Sequence, residues 1–355
     1  MSSYDVVTIT LNPAVDLTVD IPDFTAGAVN RVAGSRSAAG GKGVNVAAAL
    51  ADAGHRVAAA GFLGRDNAAI FEDLFRRREI ADFMTRVSGA TRFGIKISDA
   101  TRSETTDINF PGLAPSEADI SALLAQMDFL DAEWFLIAGS LPPGVPPMFY
   151  ADLIARLKAR GRRVALDASG KALRLALSSR PDMIKPNVHE LESVLDTPLQ
   201  SVAEVRNAAC GLAALYGIPH VVVSMGEKGA CFVRHGQVPG EAEDAARPDG
   251  TLTEPGGALR HSESALSCEA LLAVPPRVRV LSTVGAGDAM VAGWLSSRLC
   301  DLSPEDTARR ATAFSLDVLT HGHSGLSSAD VVAEFAASVC VRPAGSAASI
   351  ELPAV

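Results

Sequence analysis

The stretch STVGAGD at 282–288 sets Gly285, Ala286 and Gly287 just ahead of an apolar run. Backbone N–H groups gathered at such a helix start form an electropositive spot suited to phosphate. An acid, Asp288, follows at once. Asp in a first helical turn is favoured by the helix dipole and can be a plain cap, which explains the acid and not the glycines. The dinucleotide fingerprint G-x-G-x-x-G would need a third glycine at 290, which is Met290, so a nicotinamide site is a poor fit.

A second glycine cluster lies in AAGGKGVNVAAALADAG, 38–54, where Gly40, Gly41 and Gly43 precede a helix of small residues and Lys42 and Asn45 offer donors on its first turn. No G-x-x-x-x-G-K-[ST] loop is present, and a tight turn feeding a packed helix fits as well as a ligand site. IKPNVHEL, 184–191, carries Lys185, Asn187 and Glu190. Asn187 with Glu190 three residues on is a helix-capping pattern, and the same residues could hold phosphate and hydrated Mg²⁺. VVVSMGEKGA, 221–230, ends a strand in Ser224, Gly226 and Gly229, as turn chemistry alone would. NPAVD, 12–16, brings Asp16 to the end of the first strand, where open α/β sheets bind ligands.

The elements that must position these residues alternate along the chain. DVVTIT, VAAAG (57–61), WFLIAG (134–139), RVALD (163–167), MIK (183–185) and HVVVS (220–224) read as strands. Helical stretches are expected at 44–54, 66–78, 147–160, from about 187, at 201–216, and from about 286, 303 and 327. This is the pattern of a mostly parallel sheet with helices on both faces, in one domain over residues 1–340. DLTVDIP and the pair RFGIKIS and ETTDINF break the rhythm, strand following strand. They are expected to build a small separate sheet, a candidate lid from segments at about 12–33 and 91–112. Residues 236–272, rich in Gly, Pro and acids, are expected to be an insertion, and 341–355 a loose tail.

Composition bounds the partners. With 48% hydrophobic residues in 355, the chain can bury a large core. It has no 18-residue apolar run and no signal-peptide layout at its start, so no membrane is expected and a cytoplasmic location is. A net charge of −9 with 5% aromatics speaks against a nucleic-acid surface. The five cysteines form no C-x-x-C and are expected to be separate, mostly buried thiols. The arginines at 76–78 and at 160, 162 and 163 are expected to be solvated helix ends.

Taken together in order, TLNPAVDLTVD, AGGKGVNVA, TRFGIKI, ETTDINFPG, GSLPPGV, KPNVHEL, SMGEKGA and STVGAGDAMVAG resemble the ribokinase-like carbohydrate kinases, nearest to the branch that acts on fructose 1-phosphate. The resemblance spans about residues 4–335 and implies a ribokinase-like α/β/α sandwich with a β-sheet lid that often builds a homodimer, and Mg·ATP as donor. It implies that Asp16, Gly40, Gly41 and Asn45 hold sugar hydroxyls, that Arg92 and Lys42 meet the substrate's phosphate, and that Ser140 lines the same pocket. On the nucleotide side it points to Lys185, Asn187, Glu190, Ser224, Gly226, Gly229 and Thr283, with Glu190 toward the metal. The glycine amides at 285–287 would cradle the transferring phosphoryl group while Asp288 takes the proton of the acceptor hydroxyl. A helix start is expected to keep the Asp288 pKa low. The implied product is fructose 1,6-bisphosphate, by transfer to the 6-hydroxyl. The alternatives are a 1-kinase of fructose 6-phosphate or tagatose 6-phosphate, and a non-catalytic sugar-phosphate-binding regulator. Three departures stand out: Gly94 where the branch has Asn, the insertion, and HGHSG at 321–325 in place of a small-residue stretch.

Overall fold

Strands buried on both faces read as mostly apolar runs, and the central strands of this chain do. A computed structural model describes residues 4–102, 104–236, 268–322 and 325–345. In chain order these form β1 (Tyr4–Thr10), β2 (Ala14–Asp20), β3 (Gly34–Gly40), α1 (Lys42–Asp52), β4 (Val57–Gly64), α2 (Ala69–Arg77), β5 (Ala81–Val87), β6 (Phe93–Asp99) and β7 (Glu104–Asn109). There follow α3 (Glu117–Phe129), β8 (Ala132–Ala138), α4 (Phe149–Lys158), β9 (Arg163–Asp167), α5 (Gly170–Ala176), β10 (Met183–Ile184), α6 (Val188–Leu195), α7 (Val202–Tyr216), β11 (His220–Ser224) and β12 (Ala230–His235). The chain closes with β13 (Cys268–Val274), α8 (Ala286–Leu299), α9 (Pro304–His321), α10 (Ala329–Ser338) and β14 (Cys340–Pro343).

The main sheet runs β14-β13-β12-β11-β10-β9-β8-β1-β4-β5. It is parallel from β11 to β5 and antiparallel at the β12, β13 and β14 edge. Two apolar cores cover its faces, one built with α3, α4, α5, α6 and α7, the other with α1, α2, α8 and α9. This is the three-layer sandwich the alternation predicts. In the second core Trp134 of β8 meets Trp294 of α8 edge to face, ring centroids 5.2 Å apart. The small sheet runs β3-β2-β6-β7 and is separate from the main one. Among the described residues no helix is long and apolar enough to cross a membrane.

Four expectations need correction. Residues 268–272 are not loop but the start of β13: its run ALLA pairs with ACFV of β12, and Leu272 is buried. The rest of the expected insertion, 237–267, and the tail from 346 lie outside the described residues. Arg342 and Pro343 belong to β14, paired with Leu272 and Leu271. The thiols are not all separate, because Cys210 on α7 and Cys268 at the start of β13 are joined in a disulfide. Cys231 is buried, its thiol pushed up to about 12 by the apolar surroundings. Of the arginine clusters, Arg76 and Arg77 pair with Asp73, Arg78 with Asp52, Arg160 with Asp128 and Arg162 with Asp131 at helix ends, whereas Arg163 is no helix end: it opens β9, pairs with Glu133 and lies over the Trp134 ring.

Candidate active site

β1 lies between β8 and β4, so the chain leaves it toward both sides of the sheet, and the crevice at the carboxyl ends of such strands is where ligands bind. Lys185, Asp167, Ser224 and the segment after Thr10 all lie at those ends. Gly285 caps α8 at φ +82°, a conformation that a side chain would strain. The turn drives Asp288 inward, leaving it 7% exposed. There its Oδ2 accepts a 2.8 Å hydrogen bond from Asn45 Nδ2 on α1. Asn45, expected on a sugar hydroxyl, gives its Nδ2 to the acid, and its buried Oδ1 has no hydrogen-bond partner among the described residues.

Behind Asp288 is a buried charge relay. Asp167, 1% exposed, accepts from Lys42 Nζ at 2.8 Å and has Lys185 Nζ at 3.4 Å. Burial alone would raise the Asp167 carboxyl, but Lys185 and Lys42 hold it below its usual range. Burial alone would lower Lys42, and Asp167 turns that into a rise. Lys185 Nζ lies 3.3 Å from where a Cβ on Gly287 would stand, placing a cation directly under the start of α8. Ala286 and Gly287 there have amides with no intrahelical acceptor. Asp288 departs from expectation: its pKa is raised to about 6, first by burial, then by the charge of Asp167, against the Asn45 bond and the two lysines. Desolvation outweighs a helix-dipole effect of about 0.3–1 kcal/mol.

The Asn187–Glu190 pair forms a complete capping box, Asn187 N donating to Glu190 Oε2 at 2.9 Å and Glu190 N to Asn187 Oδ1 at 2.8 Å. The structural reading is realised, and Glu190 Oε1 accepts no hydrogen bond among the described residues. Ser224 bridges to Asn187, its N–H donating to Pro186 O at 3.1 Å. Gly226 opens the turn after β11. Gly229 has a packing reason, since a Cβ there would sit 1.8 Å from Ala273 O of β13. Thr283 is exposed ahead of α8. His323 and Ser324 of HGHSG lie outside the described residues.

On the small sheet, Asp16 of β2 leans against Gly40, where a Cβ would come within 2.5 Å of its Oδ2, and forms an ion pair with Lys96 of β6. Arg92 donates to neutral oxygens only, Asn12 O at 3.3–3.4 Å and Asn109 Oδ1 and Phe110 O at 3.4 Å, with no ion pair among the described residues. Asn12 Nδ2 donates to Ser140 Oγ at 3.0 Å, tying the turn after β1 to the GSLPPG turn. Gly94 stands opposite both Asp16 and Asn109. A Cβ at 94 would come within 2.8 Å of Asp16 Oδ1, and Asn109 Oδ1 faces the same gap at 3.6 Å. The amide lacking at 94 is thus present across the ladder. Sequence reasoning missed Asp167, Lys96, Asn12 and Asn109. Asp167 had a signal, an acid ending the apolar run VALD as Asp16 follows the first strand.

These residues form one continuous set, from Arg92 through Asp16, Gly40, Gly41, Lys42, Asp167 and Lys185 to Asp288. The arrangement presents a buried carboxyl of raised pKa at the start of a helix, joined through this set to a guanidinium that makes no ion pair among the described residues. A cavity of about 630 Å³ between α9 and α10, lined by Arg309, Phe314 and Val332 among others, contains none of them.

Residues 3–246 and 261–330 match the model of the pfkB family carbohydrate kinases. The chain is 44% identical over 340 residues to a 1-phosphofructokinase of Rhodobacter capsulatus, covering 95% of this chain and 97% of the relative. It is 40% identical over 346 residues to a 1-phosphofructokinase of Xanthomonas campestris, covering 96% and 98%. Among solved structures it resembles phosphofructokinase-2 of Escherichia coli in complex with substrates and products, with a TM-score of 0.79, 26% identity, and 94% and 98% of the two chains covered.

Proposed function

The chain belongs to the pfkB family of carbohydrate kinases and is a phosphotransferase that uses ATP. From that premise we propose that it transfers the γ-phosphoryl group to the 6-hydroxyl of fructose 1-phosphate, giving fructose 1,6-bisphosphate. The observation that carries the chemistry is the buried pair of Asp288 and Asn45 at the start of α8. The substrate rests on the two relatives that are 1-phosphofructokinases.

In this reading the 6-hydroxyl donates to Asp288, which takes the proton as the new O–P bond forms and the bond to ADP breaks. A carboxylate at about 6 is still mostly ionised at neutral pH and is a stronger base than one at its ordinary value. The amides at 285–287 and Lys185 beneath them stabilise charge on the transferring group. Asn45 fixes the base, Asp16 and Asn109 orient hydroxyls, and Arg92 takes the existing phosphate, a group its planar fork suits. Lys185, Asn187, Ser224, Gly226, Gly229 and Thr283 line the nucleotide side.

Among the described residues no three metal-ligating side chains cluster. Mg²⁺ keeps most of its waters and binds phosphates with one or two carboxylates. Glu190, with Oε1 uncommitted, would hold it, and the ion would neutralise the nucleotide's phosphate charge. The small sheet acts as the lid, and its exposed Phe93, Ile108 and Phe110 form an apolar face that a second copy would cover. Dependence on ATP supports a cytoplasmic location.

ADP release measured over fructose 1-phosphate, fructose 6-phosphate, tagatose 6-phosphate and fructose tests the assignment. The highest kcat/KM belongs to fructose 1-phosphate. A preference for either 6-phosphate overturns the substrate, and no turnover on any sugar overturns the enzyme reading.

A further inference from the structure

β6 presents a cation that the reaction as described leaves unused. Arg92, Gly94 and Lys96 are two residues apart, so they share one face of the strand at a spacing of about 6.6 Å. That face looks onto Asp16 of β2, in register with Gly94. Lys96 is only 16% exposed on its side chain, and its ammonium reaches across to the Asp16 carboxylate. Asp107 stands directly opposite Lys96 on β7, yet it makes no ion pair among the described residues. The lysine is thus turned inward, toward the sugar side.

Charge bookkeeping gives this position a meaning. Asp16 and Arg92 together are neutral, and a phosphate monoester brings a charge of about −1.5 to −2 at pH 7. A neutral pocket in a chain of net charge −9 offers such a group no net attraction. Lys96 raises the pocket to +1 and screens the phosphate from Asp16. Gly94 makes the room: without a side chain there, the Asp16 carboxylate lies over the strand between Lys96 and Arg92, with Asn109 Oδ1 beside it.

We propose that Lys96 is a specificity-determining residue that binds the substrate's existing phosphate together with Arg92, so that the site selects phosphorylated over unphosphorylated sugar. The ammonium rests on Asp16 in the free protein and is shared with the phosphate when substrate enters, leaving Asp16 free to accept from a hydroxyl. This rests on the reading of the chain as a sugar-phosphate kinase and names the residue that enforces it.

The test compares K96M and K96R with the wild-type protein, using whichever sugar phosphate the wild type turns over best and fructose as a competitive inhibitor. In K96M the KM for sugar phosphate rises about 10- to 100-fold, the size of a lost charge-assisted contact, while the Ki of fructose moves less than about 3-fold and the KM for ATP stays unchanged. K96R restores most of the lost affinity, because it returns the charge. An equal rise for sugar phosphate and fructose would mean that Lys96 only holds Asp16, and the proposal falls. It falls also if neither value moves. Should K96M fail to fold, judged by its thermal melt, K96Q replaces it with the same readout. Wild-type preference for a different sugar phosphate overturns the substrate assignment above and leaves this comparison intact.

Discussion

The two halves of the site are built in opposite ways. Around Asp288 the charges are largely buried: Asp167 and Lys185 are almost fully so, while Lys42, which pairs with Asp167, keeps its side chain 35% exposed. On the small sheet, β7 is exposed along all six residues, and Arg92 makes only long bonds to neutral oxygens. The buried half holds fixed charges whose partners cannot change, which is what a tuned base and a preorganised anion site need. The exposed half holds groups that can exchange partners, as capture and release of a charged substrate require. Chemistry and recognition are thus divided between a rigid frame and a pliable edge.

The contrast breaks most visibly at Asp288. D288N keeps the Asn45 contact and the helix start, and turnover falls about 10²–10⁴-fold, measured as kcat with sugar phosphate and ATP binding followed by calorimetry. Near-normal turnover would make Asp288 a cap. The same variant should melt higher. A carboxyl raised to about 6 in the fold binds more protons folded than unfolded. Its ionisation therefore costs stability progressively as pH rises from about 4 to 6 and fully above, by at most about 3 kcal/mol.

On the exposed half the expected effect is smaller and different in kind. R92A raises the KM for sugar phosphate about 10- to 150-fold, the value of a charge-assisted contact, and leaves ATP affinity and the melting temperature near wild type. A large loss of stability in R92A would erase the proposed division. A pH profile sharpens it further. kcat/KM should fall about tenfold per pH unit below about 6, where Asp288 takes up a proton, while R92A leaves that limb in place. An acid limb that stays flat to pH 5 would show that the base is not the group the buried half tunes.

The sequence revealed the buried half's motifs and not its electrostatics. Gly285 to Asp288 and Lys185 could be read from their types and spacing. The raised pKa could not, because it depends on burial that only the assembled sheet creates, and on Asp167, which arrives from a strand 121 residues away in the chain. The parallel strands were legible from their apolar runs, whereas β3, SRSAAG after its first glycine, has no strand-forming side chains and exists because β2 pairs with it. The helix α3 carried a readable signal, Ser116 and Asp119 in a capping box. Its low amphipathicity concealed it. Lys96 was hidden by the reverse problem: alternation places it on the face of Arg92, but only the register with β2 shows that Asp16 awaits it.

The edge-to-face pair of Trp134 and Trp294 has one more consequence. These are the only two indoles in the chain, and one of them rides on the helix whose first turn carries the base. Tryptophan emission, excited to the red of the three tyrosines, therefore arises from a single spot, at the seam between the sheet and that helix. The molecule carries its own optical gauge: a shift or quench on adding nucleotide or sugar phosphate would register the seating of the catalytic helix without any label.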